Sequence, residues 1–325
     1  MQPTPVFQWG KNFLDKLDLG KASTILDIGC RTGHLSAYLA TRYQQQRFIA
    51  IDNMESEIEQ AKSHRLSNVT FEIADALHLD FSNTFDAIVS LSCLHWIKDK
   101  YQVLENIYQA LKPGKKAYLQ FFALHGRSKN DRFIYQTARS TTWKHYFNHC
   151  QPRYSEITAS ELSFMLQKIG FVIHKIEFAQ YNTPFGHADS LQTWFRTWAS
   201  QSNSVPQRKR DCFLNEVVHR YLDEHQHTYN APFPYNEYLL EVICEKPIEP
   251  LQLNSAYEIA FTKREQEIVR DYLQGKTAKE IAGVYAISAK TVEFHLANIK
   301  KKLNCYRRSD IYQAILSQGL INLIL

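Results

Sequence analysis

The sequence predicts an α/β chain, a doubly wound sheet of seven strands followed by a small all-α domain. Three observations carry this. Residues 25–33 (ILDIGCRTG) close a short apolar run on an acid and bracket a tight turn with Gly29 and Gly33. Apolar runs recur at 47–51, 69–73 and 85–91, spaced by helix-period segments, with Asp52 and Asp75 at the ends of the first two. Beyond Phe261 the strand-like runs stop and capped segments of helical period take over.

Taken in order, residues 1–5 read as a tail and 7–19 as a helix with Trp9, Phe13, Leu14 and Leu17 apolar, placed to lie over a pocket. The first strand, from Thr24, ends at Asp27, and residues 34–42 form a helix with Leu35, Tyr38 and Leu39 on one face. Strand, glycine turn and helix open a doubly wound domain, whose ligands sit beyond the strand ends. Residues 47–51, 69–73, 85–91 and 116–122 are further strands, with helices at 54–64 and 99–111, the latter closed by Pro113 and Gly114. Strands at 171–178 and 237–244 complete the set. Two prolines and no periodicity mark 245–255 as a linker, so the expected division is 1–245, a linker at 246–256, and 257–325.

The bulk numbers exclude several classes. At 325 residues and 44% hydrophobic, two domains with sizeable cores are expected. No signal-peptide pattern is present, and no apolar run approaches the ~20 residues of a membrane helix, so a cytoplasmic protein without a membrane partner is expected. The six cysteines are scattered without a C-x-x-C pair, which argues against a metal site or a disulfide framework. Net charge is +5 and unevenly placed. Residues 288–308 hold Lys290, Lys300, Lys301, Lys302, Arg307 and Arg308 against Glu293 alone. That end is the nucleic-acid candidate.

The glycine turn narrows the ligand. A dinucleotide site needs G-x-G-x-x-G so that helix amides face a pyrophosphate. Here the spacing is G-x-x-x-G behind a carboxylate, which would repel phosphate and suit a cation. S-adenosylmethionine carries an ammonium and a sulfonium and no phosphate. The pattern D-x-G-x-x-x-G resembles motif I of the class I S-adenosylmethionine-dependent methyltransferases, a Rossmann-like seven-stranded fold. The resemblance implies a cofactor site from Asp27, Ile28, Gly29, Cys30, Arg31 and Gly33. Asp52 would hold the ribose hydroxyls and Asp75 and Ala76 would flank the adenine, with Asn53, Met54 and Ser92 also in the site. Arg31 departs from the family's common glycine; it would either narrow the pocket or pair with the cofactor's carboxylate.

After the fourth strand, the N/D-P-P-Y/F motif of base-amine methyltransferases is absent. Leu94-His95-Trp96 followed by Ile97-Lys98-Asp99 resembles the branch containing trans-aconitate, juvenile hormone acid and malonyl-acyl carrier protein methyltransferases. That likeness covers roughly residues 6–246 and implies O-methylation of a small carboxylic acid. A carboxylate is already a nucleophile, so it needs in-line placement about 3 Å from the methyl group rather than a general base. Positioning candidates are His95, Trp96, Arg139, Trp143, Arg153, Tyr154 and Trp194.

In the last domain, Thr262 caps a helix with Glu265 completing a capping box, and that helix stops before Gly275. Thr277 caps residues 278–284. Ser288 caps 289–303, whose Val292, Leu296, Ile299 and Leu303 form one apolar stripe, and a last helix spans 309–318. Capped helices with a tight turn between the second and third read as a helix-turn-helix. This stretch resembles the LuxR-type DNA-binding domain. By that likeness Lys290, Thr291, Phe294, His295 and Asn298 would face the major groove of duplex DNA. Lys301, Lys302 and Arg308 would lie nearer to phosphates. Phe294 departs from the polar residues often found at its position and could touch a thymine methyl. Ile311, Ile315 and Leu316 are more apolar surface than a small bundle buries, which places a homodimer contact on the last helix. The whole chain thus reads as a methyltransferase coupled to a LuxR-type regulator. The alternative is a transcription factor whose methyltransferase fold is a non-catalytic ligand sensor.

Overall fold

A computed structural model of the chain describes residues 4–123, 130, 132–147, 157–248, 261–273, 275–303, 305, 310–311 and 314–315. The strands are β1 (Thr24–Ile28), β2 (Arg47–Asp52), β3 (Val69–Ile73), β4 (Phe85–Leu91), β5 (Leu111–Phe121), β6 (Val172–Phe185) and β7 (Phe233–Lys246). They form one seven-stranded sheet in the order β3-β2-β1-β4-β5-β7-β6. The first five are parallel, and β7 runs antiparallel between β5 and β6. The strand order reverses between β1 and β4, where an open α/β sheet leaves a crevice at its carboxyl edge. β1 runs on through Asp27 to Ile28, so the acid sits inside the strand rather than at its end.

The helices of this part are α1 (Pro5–Leu14), α2 (His34–Arg42), α3 (Glu55–Lys62), α4 (Lys100–Ala110), α5 (Arg132–Ala138), α6 (Ala159–Ile169), α7 (Ala188–Trp198) and α8 (Gln207–Glu224). α1 starts where Thr4 accepts the Phe7 N–H and Pro5 occupies the first turn, where a missing N–H costs nothing. It ends at Leu14, five residues short of the sequence expectation, with Asp15 as its C-cap, whose carboxylate pairs with Arg42 of α2 at 2.7 Å. α4 and α6 cover one sheet face through Val103, Leu104, Ile107, Leu162 and Leu166. α1, α2 and α3 cover the other through Phe13, Leu14, Leu39, Ile58 and Ala61. A third core, with Trp9, Phe133, Trp143, Trp194, Phe195, Phe213 and Tyr235, joins α1, α5, α7 and α8 to the start of β7. This aromatic cap stands at the carboxyl edge of the parallel strands.

The C-terminal helices are α9 (Lys263–Leu273), α10 (Ala278–Tyr285) and α11 (Ala289–Lys302). Two reciprocal caps start the first two. The Glu265 carboxylate accepts the Thr262 N–H at 2.8 Å while Thr262 Oγ1 accepts the Glu265 N–H at 3.2 Å. Thr277 and Glu280 repeat the arrangement on α10. Ser288 caps α11 by accepting the Thr291 N–H at 3.0 Å. Val292, Leu296, Ile299 and Leu303 pack into a core with Ile268, Val269 and Ile281. Ile311 and Ile315 lie in that same core, each fully buried within a single chain. They are therefore spent inside the domain and offer no dimer surface; Leu316 and residues 249–256 of the expected 246–256 linker lie outside the described residues, while Lys246 at its start belongs to β7.

Candidate functional site

A cavity of about 990 Å³ opens at the carboxyl ends of β1, β2 and β4 and runs under the aromatic cap. Its first end is made by the glycine turn. Gly29 sits at φ +80° with its missing Cβ 2.4 Å from Cys93 Cβ, so any side chain there would collide. Gly29 and Cys30 N–H groups donate to the Ile51 carbonyl at 2.8 and 2.9 Å, tying the turn to β2. Gly33, at φ +73°, has no room for a Cβ against the Phe71 ring and Ala61; it seats α2 and does not line the cavity.

The acids are placed in three different ways. Asp27 is buried beneath the turn, accepting the Ser36 hydroxyl at 2.6 Å, and does not line the cavity. Burial raises its pKa to about 6, with Asp52 adding to the rise and Ser36 opposing it. Asp52 does line the cavity, its two oxygens accepting the Arg31 and Met54 N–H groups at 3.0 Å each. Asp75 caps the short turn Ala76–His78 by accepting the Leu77 N–H at 2.9 Å. Ile28, Cys30, Asn53, Met54 and Ala76 complete this end with Ser92, a non-glycine residue held at φ +54°. Burial, and then the charge of Asp52, pushes the Cys93 thiol up to about 12, so it stays protonated and is no nucleophile.

Arg31 occupies a left-handed conformation, φ +49°. Its side chain is 64% exposed and reaches Glu57 on the rim at 3.5 Å. The position therefore prefers glycine for backbone reasons, and the guanidinium has a partner within the chain.

The opposite end is aromatic. His95 is buried on the turn Leu94–Trp96, edge-on to Phe122 at 4.9 Å, and Trp96 lies beside it at the mouth. Trp9 and Trp194 meet edge-to-face at 5.8 Å, and Trp9 Nε1 donates to Thr183 Oγ1 at 2.9 Å. The Trp194 and Trp198 indole N–H groups are buried and meet no acceptor among the described residues. Glu237 is buried in the wall, accepting from Asn130 Nδ2 at 3.0 Å and the Tyr235 hydroxyl at 3.1 Å.

Of the positioning candidates, His95, Trp96 and Trp194 line the cavity. Arg139 does not; it is exposed at the end of α5. Trp143 is cap core, donating to Glu216 at 2.6 Å and packing edge-on to Phe213, so its bulk serves folding. Arg153 and Tyr154 lie outside the described residues. Sequence reasoning missed Trp198, Asn130, Tyr235 and Glu237. The alternation of Tyr235 and Glu237 on one face of β7, and the i,i+4 spacing of Trp194 and Trp198, were the available signals.

Residues 25–114 match the methyltransferase domain family, and residues 260–315 match the bacterial regulatory proteins of the luxR family. The chain joins a methyltransferase domain to a LuxR-type domain. A methyltransferase-named protein of Invertebrate iridescent virus 6 is 27% identical over 65% of this chain and 78% of its own length. Phosphoethanolamine N-methyltransferase 1 of Triticum aestivum is 33% identical over 39% of this chain and 26% of its own. Trans-aconitate 2-methyltransferase of Deinococcus radiodurans is 31% identical over 35% and 43%. The chain thus spans less than half the length of the latter two. A solved methyltransferase-like structure from Bacillus halodurans superposes with TM-score 0.52 at 13% identity, over 73% of this chain and 98% of that one.

On the LuxR-type domain, Lys290, Thr291, Phe294 and Lys301 are exposed, with His295 and Asn298 half-buried beside them. Lys302 differs. Its ammonium pairs with the buried Glu265 at 2.6 Å, tying the end of α11 to the start of α9, so the phosphate role expected of it is taken by an internal bond. Arg308 lies outside the described residues. Among the described residues, no helix is long and apolar enough to cross a membrane.

Proposed function

We propose that the methyltransferase domain binds S-adenosylmethionine and methylates a small carboxylic acid, and that the LuxR-type domain binds duplex DNA as a homodimer. The observation that carries the first part is one cavity with an acid-bearing glycine turn at one end and an aromatic cap at the other. The residues fit the cofactor: the turn admits no side chain at Gly29, and the acids favour a cation over a phosphate. Bound there, S-adenosylmethionine would supply an electrophilic methyl group on its sulfonium. Asp52, oriented by two backbone N–H groups, would accept from the ribose hydroxyls with its remaining lone pairs. Asp75, Ala76 and Asn53 would border the adenine. The ring wall of Trp9, Phe122 and Trp194 would exclude water from the transfer. Two buried indole N–H groups that meet no acceptor among the described residues support an oxygen-bearing substrate, because an unmet buried donor costs ~1–3 kcal/mol. The trans-aconitate relative supports a carboxylate, and the phosphoethanolamine relative makes an amine the natural control.

Arg31, which lines the cavity where the resembled family commonly has glycine, favours a second reading, a domain that holds its ligand without turnover and reports occupancy to DNA binding. One experiment separates the two. The purified chain is incubated with labelled S-adenosylmethionine and paired panels of small acids and amines, with products identified by mass spectrometry. A methyl ester is expected, and Trp194→Phe should raise the acceptor KM while leaving cofactor affinity unchanged. Cofactor binding with no product from either panel would establish the sensor. Absence of cofactor binding would overturn both.

A further inference from the structure

Phe294 lies in the middle of the solvent face of α11 and is 64% exposed. At 3.6 residues per turn, Lys290, Phe294, Asn298 and Lys301 fall on one side of the helix, opposite Val292, Leu296 and Ile299 of the core. A phenyl ring in water forfeits the gain of burial, and the domain's own core gives it no place. The ring is held against the neighbouring His295 at 5.9 Å, edge-to-face.

The ring's neighbours decide what would cover it. Lys290 and Lys301 flank it along the helix, with Glu293 at the margin. A second copy seated face to face would bring like charges together, whereas a polyanion would be drawn to them. Within a duplex, the major groove offers one apolar feature to such a helix, the C5-methyl group of thymine. Taking DNA binding by this domain as its premise, we infer that Phe294 is a specificity-determining residue that reads a C5-methyl group in the major groove. The lysines supply charge that attracts a duplex of any sequence; the ring requires a methyl at one step of each half-site.

The test uses the full chain. Operator duplexes are selected from a random pool, and each thymine of the selected site is replaced in turn by uracil, which removes only the C5-methyl. Uracil at one position per half-site should weaken binding about threefold to tenfold, roughly one methyl contact. The Phe294→Ala chain should show the same loss on the thymine operator and no further loss on uracil. Placing 5-methylcytosine in place of cytosine at a weaker-bound site should recover affinity for the wild type and not for the variant. Because the side chain is exposed, an unchanged helical circular dichroism spectrum is expected for the variant. If no uracil substitution affects the wild type while selected operators still bind in a salt-dependent way, the inference fails and DNA binding stands. If the chain retains no duplex at low salt, the premise fails.

Discussion

The two ends of the cavity are built by different rules. At the glycine turn each functional residue sits on or just after a parallel strand, and the register of β1, β2 and β4 fixes where it points. At the aromatic cap the residues arrive on α1, on α7 and on the antiparallel β7, and meet only because four helices and a strand share one core. Chemistry at the first end is set by backbone geometry. At the second it is set by packing. Substitutions at the two ends should therefore fail differently: backbone changes should strike cofactor binding, and side-chain changes in the cap should strike the acceptor.

The largest effect is expected at Gly29. An added Cβ would lie 2.4 Å from Cys93 Cβ and Sγ while the backbone stays at φ +80°. The left-handed conformation alone costs an L-residue ~1–2 kcal/mol, and relieving the clash would move the turn off β2. Gly29→Ala should weaken cofactor binding about a hundredfold, ~2.7 kcal/mol, by calorimetry. An affinity within threefold of wild type would show that the turn does not hold the ligand. It would also erase the distinction between the two ends.

A proton sharpens the same contrast. Burial raises the Asp27 carboxyl to about 6, above its ordinary 3.8. The unfolded chain releases this proton first as pH rises, so between about 4 and 6 the folded state binds more protons and loses stability. Asp27→Asn should remove that decline, visible as a Tm difference between the two proteins that changes across the window and is flat above it. A cationic ligand prefers the ionised acid, so cofactor affinity should climb through the same range, by at most about tenfold per pH unit. Flat affinity between pH 5 and 7 would mean that Asp27 does not sense the ligand's charge.

The seven strands and the capped helices of the last domain were legible because apolar period and cap residues are local signals. Asp52 and Asp75 were legible for the same reason, each standing just beyond a short apolar run. Asn130, Tyr235 and Glu237 were not, since nothing near them in the chain says which core the cap helices will share. Trp143 misled because a tryptophan at helical spacing looks alike in a pocket wall and in a core; Glu216 takes its N–H. Lys302 misled because its partner Glu265 lies two helices earlier. Ile311 and Ile315, read as dimer surface, misled because both had a home within the domain.

The smallest effect is expected at Arg31, the residue for which the sequence left two outcomes open. An arginine at φ +49° bears ~1–2 kcal/mol of backbone strain that glycine would relieve. Glycine in turn makes the unfolded chain more flexible, which offsets ~0.4–1 kcal/mol of that gain. The Glu57 pair, at 3.5 Å with a mostly exposed guanidinium, contributes ~0–1 kcal/mol. These contributions nearly cancel, so Arg31→Gly should change stability by less than about 1 kcal/mol. Cofactor affinity should move by less than about threefold, because the Arg31 contact with Asp52 is made by the backbone N–H, which glycine retains. A tenfold loss would mean that the guanidinium leaves Glu57 to clamp the cofactor's carboxylate. A tenfold gain would mean that it narrows the pocket. Glu57→Gln, which frees the guanidinium without touching the turn, tells a clamp from a bystander. Tighter binding in that variant would reveal the clamp, and unchanged binding would leave Arg31 as a rim residue whose backbone, rather than its charge, belongs to the site.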